Sequence, residues 1–508
     1  MQCPHCGSSN VNKKGTFMTN EGAMKQRYIC KHCTKTFSDF MYSNQQNRFS
    51  PSTVVTGQRF VITSIQNNTE INTEFYESLL TYCKKNDAEL VVIPTLHQES
   101  QYAPPMRVQW ALDDSELLFD KVTLNGVINI LSTIKINAAA ENPLGGLDAL
   151  SKGKTLIVPH NQLQMRSLPV LRGEHPVIMT TTGTISKPNY IKSKSGEKAT
   201  FNHSYSAILV DFDDDIYHLR VLNADDTGGF YDIDGYYFGK EFKKLEGVEA
   251  IITGDEHVIV TSPEVSQATY YDPDDSMVNV LKPKVIVRHD VLDCFTVSHH
   301  HRKDNFLQYS KYINNLNKIE EELDLTLDYI WKTTPKLAYP PKNVIVSSNH
   351  HDHLKRWLNE TDPKIEPWNA KIFHKLTYLM LEEIEKKSGI YSPDPFIIYA
   401  NQKYPGLIDF VDRNVPYKIK GIELSNHGDI GANGSRGSLT QFAKYADKVV
   451  VGHSHTPGIN KGAYSVGCST PKTLEYTNGP SSWMNTHCII YSNGKRQLIN
   501  IIRGKWKK

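Results

Sequence analysis

Between Gly254 and His455 the chain carries five groups of Asp, Asn, Glu and His, and each group closes a short apolar run. Residues 248–252 lead into Gly254-Asp255-Glu256-His257, residues 285–287 into His289-Asp290-Val291-Leu292-Asp293, and residues 344–346 into Ser348-Asn349-His350-His351-Asp352. Residues 419–424 lead into Asn426-His427-Gly428-Asp429, and residues 449–451 into Gly452-His453-Ser454-His455. Apolar runs of this length predict buried strands, and polar loops at the carboxyl ends of strands are where open α/β sheets gather their sites. The pattern therefore commits this part of the chain to a sheet whose loops converge.

The donor types narrow what converges there. Carboxylate, imidazole and amide donors with no thiolate among them suit manganese, iron or zinc better than calcium. Five groups are too many for one tetrahedral ion, which predicts a pair of ions sharing a carboxylate. Taken singly, the groups have ordinary readings: Asp255 and His257 as a plain loop, and Asn349 as a helix N-cap ahead of Leu354 and Trp357. It is the ordered series, each member after a strand, that favours a metal centre.

The order D-x-H, D-x-x-D, N-H, H and G-H-x-H resembles the calcineurin-like metallophosphoesterase superfamily over roughly the C-terminal half of the chain. The resemblance implies a β-sandwich flanked by helices. It implies Asp255, His257, Asp290 and His455 around one ion and Asp290, Asn349, His427 and His453 around the other, with Asp290 bridging. His350 takes the place of the catalytic imidazole, and Asp352 is carried with it as a catalytic residue. The chain departs from the pattern where His289 and Ser348 replace glycines and where His351 intervenes before Asp352. Asp293 is expected to point away from the site.

A chain of 508 residues exceeds a single core and predicts two to four domains. Cys3-x-x-Cys6 and Cys30-x-x-Cys33 have the spacing of two knuckles gripping one structural zinc, so residues 1–40 read as a zinc ribbon. The ribbon resembles those of transposase-associated and transcriptional proteins. Lys13, Lys14, Lys25, Arg27, Lys31 and Lys35 make it basic, which favours contact with DNA over a purely structural role. Residues 41–59 are polar and read as a linker, residues 60–245 as an α/β domain without a catalytic motif, and residues 246–508 as the dimetal domain. In the last, residues 306–323 and 370–387 have helical spacing. His300, Arg302 and Lys303 follow the bridging-Asp loop closely enough to contact substrate phosphate, the alternative being a solvated loop before a helix.

Charged residues at 22% and hydrophobic ones at 39% are those of a soluble globular protein, and no apolar run has the length to span a bilayer. The expected location is cytoplasmic, the host cytoplasm if the chain is phage-encoded. Together these features predict a metal-dependent nuclease hydrolysing DNA phosphodiesters with two divalent ions, manganese first and iron or zinc as alternatives, beside one structural zinc. The combination of parts is similar to the exonuclease branch of the superfamily and to DNA-degrading nucleases of tailed phages. The competing readings are a nucleotide or phosphoprotein phosphatase and a DNA-binding regulator with an inactive phosphoesterase fold. DNA is the expected partner, no membrane is, and self-association stays open.

Overall fold

A computed structural model describes residues 3, 6–18, 24–38, 53–96, 110–335, 340–413, 415–472, 474, 477 and 479–507. Its N-terminal unit is a three-stranded antiparallel sheet of Val11–Met18, Met24–Cys30 and Thr36–Ser38. The two cysteine pairs lie in tight turns: the Gly7 amide donates to Cys3 O at 2.8 Å, and the Cys30 amide to Lys35 O at 3.0 Å. Backbone N–H groups of Cys33 and His32 lower the Cys30 thiol to about 6, while Cys6 is raised to about 12. The sulfurs of Cys3, Cys6, Cys30 and Cys33 lie within 4.8 Å of one another, a four-cysteine cluster able to hold a zinc ion.

The strands that precede the His/Asp loops divide between two sheets. Asp409–Val411, Lys342–Val346, Val285–Arg288 and Ala250–Ile252 run parallel in one, which Thr486–Ile490 and Arg496–Asn500 extend antiparallel. Ile422–Glu423 and Val449–Val451 belong to the other, beside Ala463–Ser465 and Gly458–Asn460. Side chains alternate across a strand, and the chain uses both faces. Ile252, Val287, Val344 and Cys488 share one apolar core with Leu424, Val450 and Tyr464 of the second sheet. Ile251, Ile286, Ile345 and Ile489 turn the other way, onto Leu323, Leu327, Leu354 and Leu376 of the helices. Each such side chain contributes on the order of 1.5–3 kcal/mol of burial, so the five runs are fixed in register on both faces.

Residues 60–245 start as the sequence predicts, with Arg59–Gln66 and Glu89–Thr95 paired in parallel across the helix Thr73–Asn86. The acidic stretch Asp213 to Asp215 is a hairpin turn between Ser206–Asp213 and Ile216–Asn223. The expected division at 245/246 is crossed by a continuous sheet, because Gln164–Leu168 pairs antiparallel with Gly458–Asn460. Phe60, Ile208 and Met165 accordingly lie in the same core as Val287 and Val450.

Two other expectations change. Of the linker, residues 41–52 lie outside the described residues, and Thr53–Val55 is a strand paired in parallel with Val122–Leu124. The helical run 306–323 is two helices, Asn305–Ile313 and Ile319–Thr333, interrupted where Asn315 takes a φ of 55° that asparagine tolerates better than most residues. No helix among the described residues is long and apolar enough to cross a membrane.

Candidate metal centre

The five loops meet at one place. Asp255, His257, Asp290, His427 and His455 are all buried. His257, Asp290, His453 and His455 have φ of 39°, 43°, 69° and 55°. Left-handed backbone at non-glycine residues costs on the order of 1–3 kcal/mol each and persists where the surroundings impose it, which is common at functional sites. Gly452 is required for the approach, since a Cβ there would stand 2.3 Å from Asp255 Oδ1. The missing side chain lets the His453 amide donate to Asp255 Oδ2 at 2.8 Å.

Asp290 occupies the middle. Its Oδ2 is 2.9 Å from His427 Nε2, 3.8 Å from His257 Nε2 and 3.9 Å from His350 Nε2. On one side Asp255, His257 and His455 form a group, with His455 Nε2 3.0 Å from Asp255 Oδ2 and 3.1 Å from His257 Nε2. On the other, Asp255, His289 and His427 form a second, with 3.2 Å between the Nδ1 atoms of the two imidazoles. Burial and the facing His427 hold His289 at about 4, so it is a neutral imidazole at neutral pH.

These donors fit a cation better than they fit one another. His257 Nδ1 is 3.1 Å from the Asp293 carboxylate, which accepts its proton and leaves the Nε2 lone pair facing His455. Asp255 Oδ1, Asp290 Oδ1 and Asn349 Oδ1 are buried with no hydrogen-bond partner. Buried acceptor oxygens left without a donor are a costly arrangement unless a positive ion lies among them. Asn349 opens the helix Asn349–Glu360, and the cap is Ser348, whose Oγ accepts from the His351 amide. That frees the Asn349 amide oxygen from the capping role open to it in sequence.

The acid against His350 is Asp293, and Asp352, carried over as a catalytic residue, lies elsewhere. His350 Nδ1 is 2.9 Å from Asp293 Oδ1 and 2.7 Å from its carbonyl oxygen, two acceptors that together require the proton on Nδ1. Burial opposes charge on His350, but Asp290 and Asp293 outweigh it and push the imidazole up to about 10. Asp352 instead lies on the exposed side of its helix, 2.9 Å from Arg413 Nη1, and Arg413 reaches on to Asp429 at 2.7 Å. The intervening His351 is buried against Asp394 at 3.0 Å. Asp394 also accepts from the amides of Phe396 and Ile397. His351 is thus part of the scaffold.

A cleft of about 340 Å³ opens over the centre, lined by Asp290, Asn349, His350, His453, His455 and Trp483 among others. His300 lines it too. Arg302 does not: its guanidinium is 3.3 Å from Glu360 and donates to Thr361 Oγ1 at 2.5 Å. Lys303 is exposed and likewise absent from the lining.

Over 469 residues the chain is 31% identical to Protein A1 of Escherichia phage T5, covering 89% of this chain and 83% of that protein. The chain belongs to the protein A1 family. No family model and no solved structure matches it. In this A1 relative His289, read in the sequence only as a departure from the pattern, and Asp293, expected to point away, both face the centre, and Trp483 was not singled out. Trp483, whose ring centroid is 4.1 Å from that of His455, carries no local signal in the sequence.

Proposed function

We propose that this A1-family chain is a metal-dependent phosphodiesterase acting on DNA. The observation that carries the reading is Asp290 between two groups of buried carboxylate and imidazole donors, with several of their atoms left without a hydrogen-bond partner. Asp255, His257, Asp290 and His455 would hold one divalent ion and Asp290, Asn349, His427 and His453 the other, with His289 added beside His427. When bound, such a pair supplies polarisation of the phosphoryl oxygens and an acidified water. Membership of a phage family and a basic four-cysteine ribbon support a nucleic-acid substrate over a small monoester.

His350 supplies the proton. With Nδ1 committed to Asp293, its Nε2 faces the cleft and can protonate a leaving alkoxide. A cation beside Asp290 would offset that carboxylate's effect on His350. Asp293 would then be the group that keeps the imidazole protonated.

The test is purified protein with manganese and labelled linear, circular and single-stranded DNA, beside a chromogenic phosphomonoester. Cleavage of DNA with little monoester turnover is expected. Monoester turnover without DNA cleavage would replace this reading by a phosphatase.

Exchanging the positioning acid separates two candidates. Asp293→Asn should lower the rate about 10- to 100-fold, the usual effect of a lost carboxylate behind a working histidine, and His350→Ala about 10²- to 10⁴-fold. Asp352→Asn should change the rate little, because its partner is Arg413 on the surface. A larger loss in Asp352→Asn than in Asp293→Asn would reverse the assignment.

Deleting residues 1–40 should leave turnover of a small diester intact and weaken DNA binding. Lys13, Lys14, Arg27, Lys31 and Lys35 are exposed on the ribbon. Phosphate contacts made by such residues release counterions, so the dependence of affinity on salt should become shallower in the truncated protein. Identical salt slopes for both proteins would confine the ribbon to folding or assembly.

A further inference from the structure

At the rim of the cleft His299, His300 and His353 bring one nitrogen each within 4.8 Å of one another. They come from two separate elements. His299 and His300 lie on the 3₁₀ turn His299–His301, and His353 on the first turns of the helix Asn349–Glu360. Ring centroids are 3.8 Å apart for His299 and His300, 4.9 Å for His299 and His353, and 5.5 Å for His300 and His353.

The third histidine of the run is excluded from this group. His301 Nδ1 is 2.8 Å from Lys311 Nζ, which also donates to Phe295 O at 2.5 Å and so pins the turn from behind. That leaves His299 and His300 directed toward His353. His299 Nδ1 and His353 Nδ1 are buried and have no hydrogen-bond partner. Among the described residues no carboxylate joins the trio. The nearby Glu360 is taken by Arg302 at 3.3 Å and Arg356 at 2.7 Å.

We propose that His299, His300 and His353 form a third divalent-metal site, separate from the centre around Asp290, which takes a zinc-class ion through three neutral imidazoles. Zinc–nitrogen bonds of about 2.0–2.1 Å put tetrahedral donors about 3.3 Å apart, so nitrogens now within 4.8 Å of one another close by at most about 1.5 Å on binding. Imidazole suits zinc, copper and nickel better than magnesium or calcium, which sets this site apart from a mixed carboxylate centre. His300 and His353 both line the cleft, leaving the fourth coordination position open toward it. Three protein ligands and an open position is the arrangement of a reactive rather than a structural zinc. The site stands whether or not the chain cleaves DNA.

Full-length protein stripped with a chelator and re-equilibrated with zinc alone should carry one metal equivalent more than His299→Ala/His353→Ala treated in parallel. Asp290→Ala should keep that equivalent while losing those of the central site, so failure of either assignment is visible separately. In the Asp290→Ala background, cobalt loading should give a visible absorption increment beyond that of the four-cysteine ribbon, and the increment should be lost in Asp290→Ala/His353→Gln, while His299→Asp should retain binding in part. Equal zinc content in wild type and the double variant would overturn the proposal. Should the double variant misfold, His300→Gln decides, since His300 is exposed. At least a tenfold loss of zinc affinity at this site is expected, by analogy with lost ligands and their supports elsewhere, and unchanged affinity would leave only a stack of histidine rings.

Discussion

Asp290→Asn should reduce hydrolysis to the background of the assay and strip both exchangeable ions, leaving the metal of the four-cysteine ribbon in place. Asparagine keeps the shape of the side chain and tolerates the φ of 43° found there, so the variant tests charge rather than fold. Nothing nearby can stand in for the carboxylate. Asp293 is engaged by His257 at 3.1 Å and His350 at 2.9 Å, and both hold its carboxyl far below the usual range against the opposing effect of burial. Asp255 is engaged by His455 at 3.0 Å and by the His453 amide at 2.8 Å. A side-chain amide in place of this carboxylate would also turn either an oxygen or an NH₂ toward His427 Nε2, and only one orientation offers a lone pair to a metal. Metal content by mass spectrometry and initial rates on labelled DNA check this together. Retention of both ions, or a rate within about tenfold of wild type, which is about 1.4 kcal/mol in the barrier, would remove Asp290 from the bridging role.

Why some of this centre was legible and some was not comes down to the range over which the sequence encodes it. The apolar runs fix the strands locally, and Asp255, His257, Asn349, His427, His453 and His455 are readable because each follows its strand within a few residues. His289 and Asp293 escaped because their direction depends on backbone that a strand count does not foresee. With Asp290 and Cys294 both at positive φ, the loop curls and turns residues on either side of Asp290 inward. Asp352 lies away from His350 for the complementary reason. A helix beginning at Asn349 carries His350 toward the cleft, while Asp352, two positions on, faces another side, where Arg413 meets it. The sheet that crosses the expected division at 245/246 was not legible because the pairing of Gln164–Leu168 with Gly458–Asn460 joins segments separated by most of the chain, with no local trace in either.

The second large effect is expected behind the centre, in a pair of residues that touch no candidate ligand side chain. Arg288 and Glu256 are both fully buried, at 0% side-chain exposure, with Arg288 Nη1 3.0 Å from each carboxylate oxygen. The guanidinium is otherwise satisfied: Nε donates to Asn343 Oδ1 at 3.0 Å and Nη2 to Thr333 Oγ1 at 2.9 Å, and Tyr270 donates its hydroxyl proton to Glu256. Tyr270 comes from a π-helical turn, Gln267–Tyr271, a geometry that often marks functional sites. Glu256 stands between Asp255 and His257, and Arg288 immediately precedes His289 and Asp290, so the pair ties the first loop to the second. The backbone does the same, with the His257 amide donating to Asp290 O at 2.8 Å. Arg288→Met should therefore destabilise the chain by about 3–5 kcal/mol, since it strands a buried carboxylate. Arg288→Lys should fall between, keeping the charge but losing the fork that reaches Asn343 and Thr333. Glu256→Gln/Arg288→Met should recover most of the loss, because replacing both partners removes the stranded charge and much of the desolvation that the pair incurs. Urea unfolding of the full chain, both single variants and the double variant measures these differences as a double-mutant cycle. Recovery of stability in the double variant without recovery of DNA cleavage would assign the pair to holding Asp255 and Asp290 in register. A loss under about 1 kcal/mol in Arg288→Met would mean that water reaches Glu256, and the tie between the loops would then rest on the backbone alone.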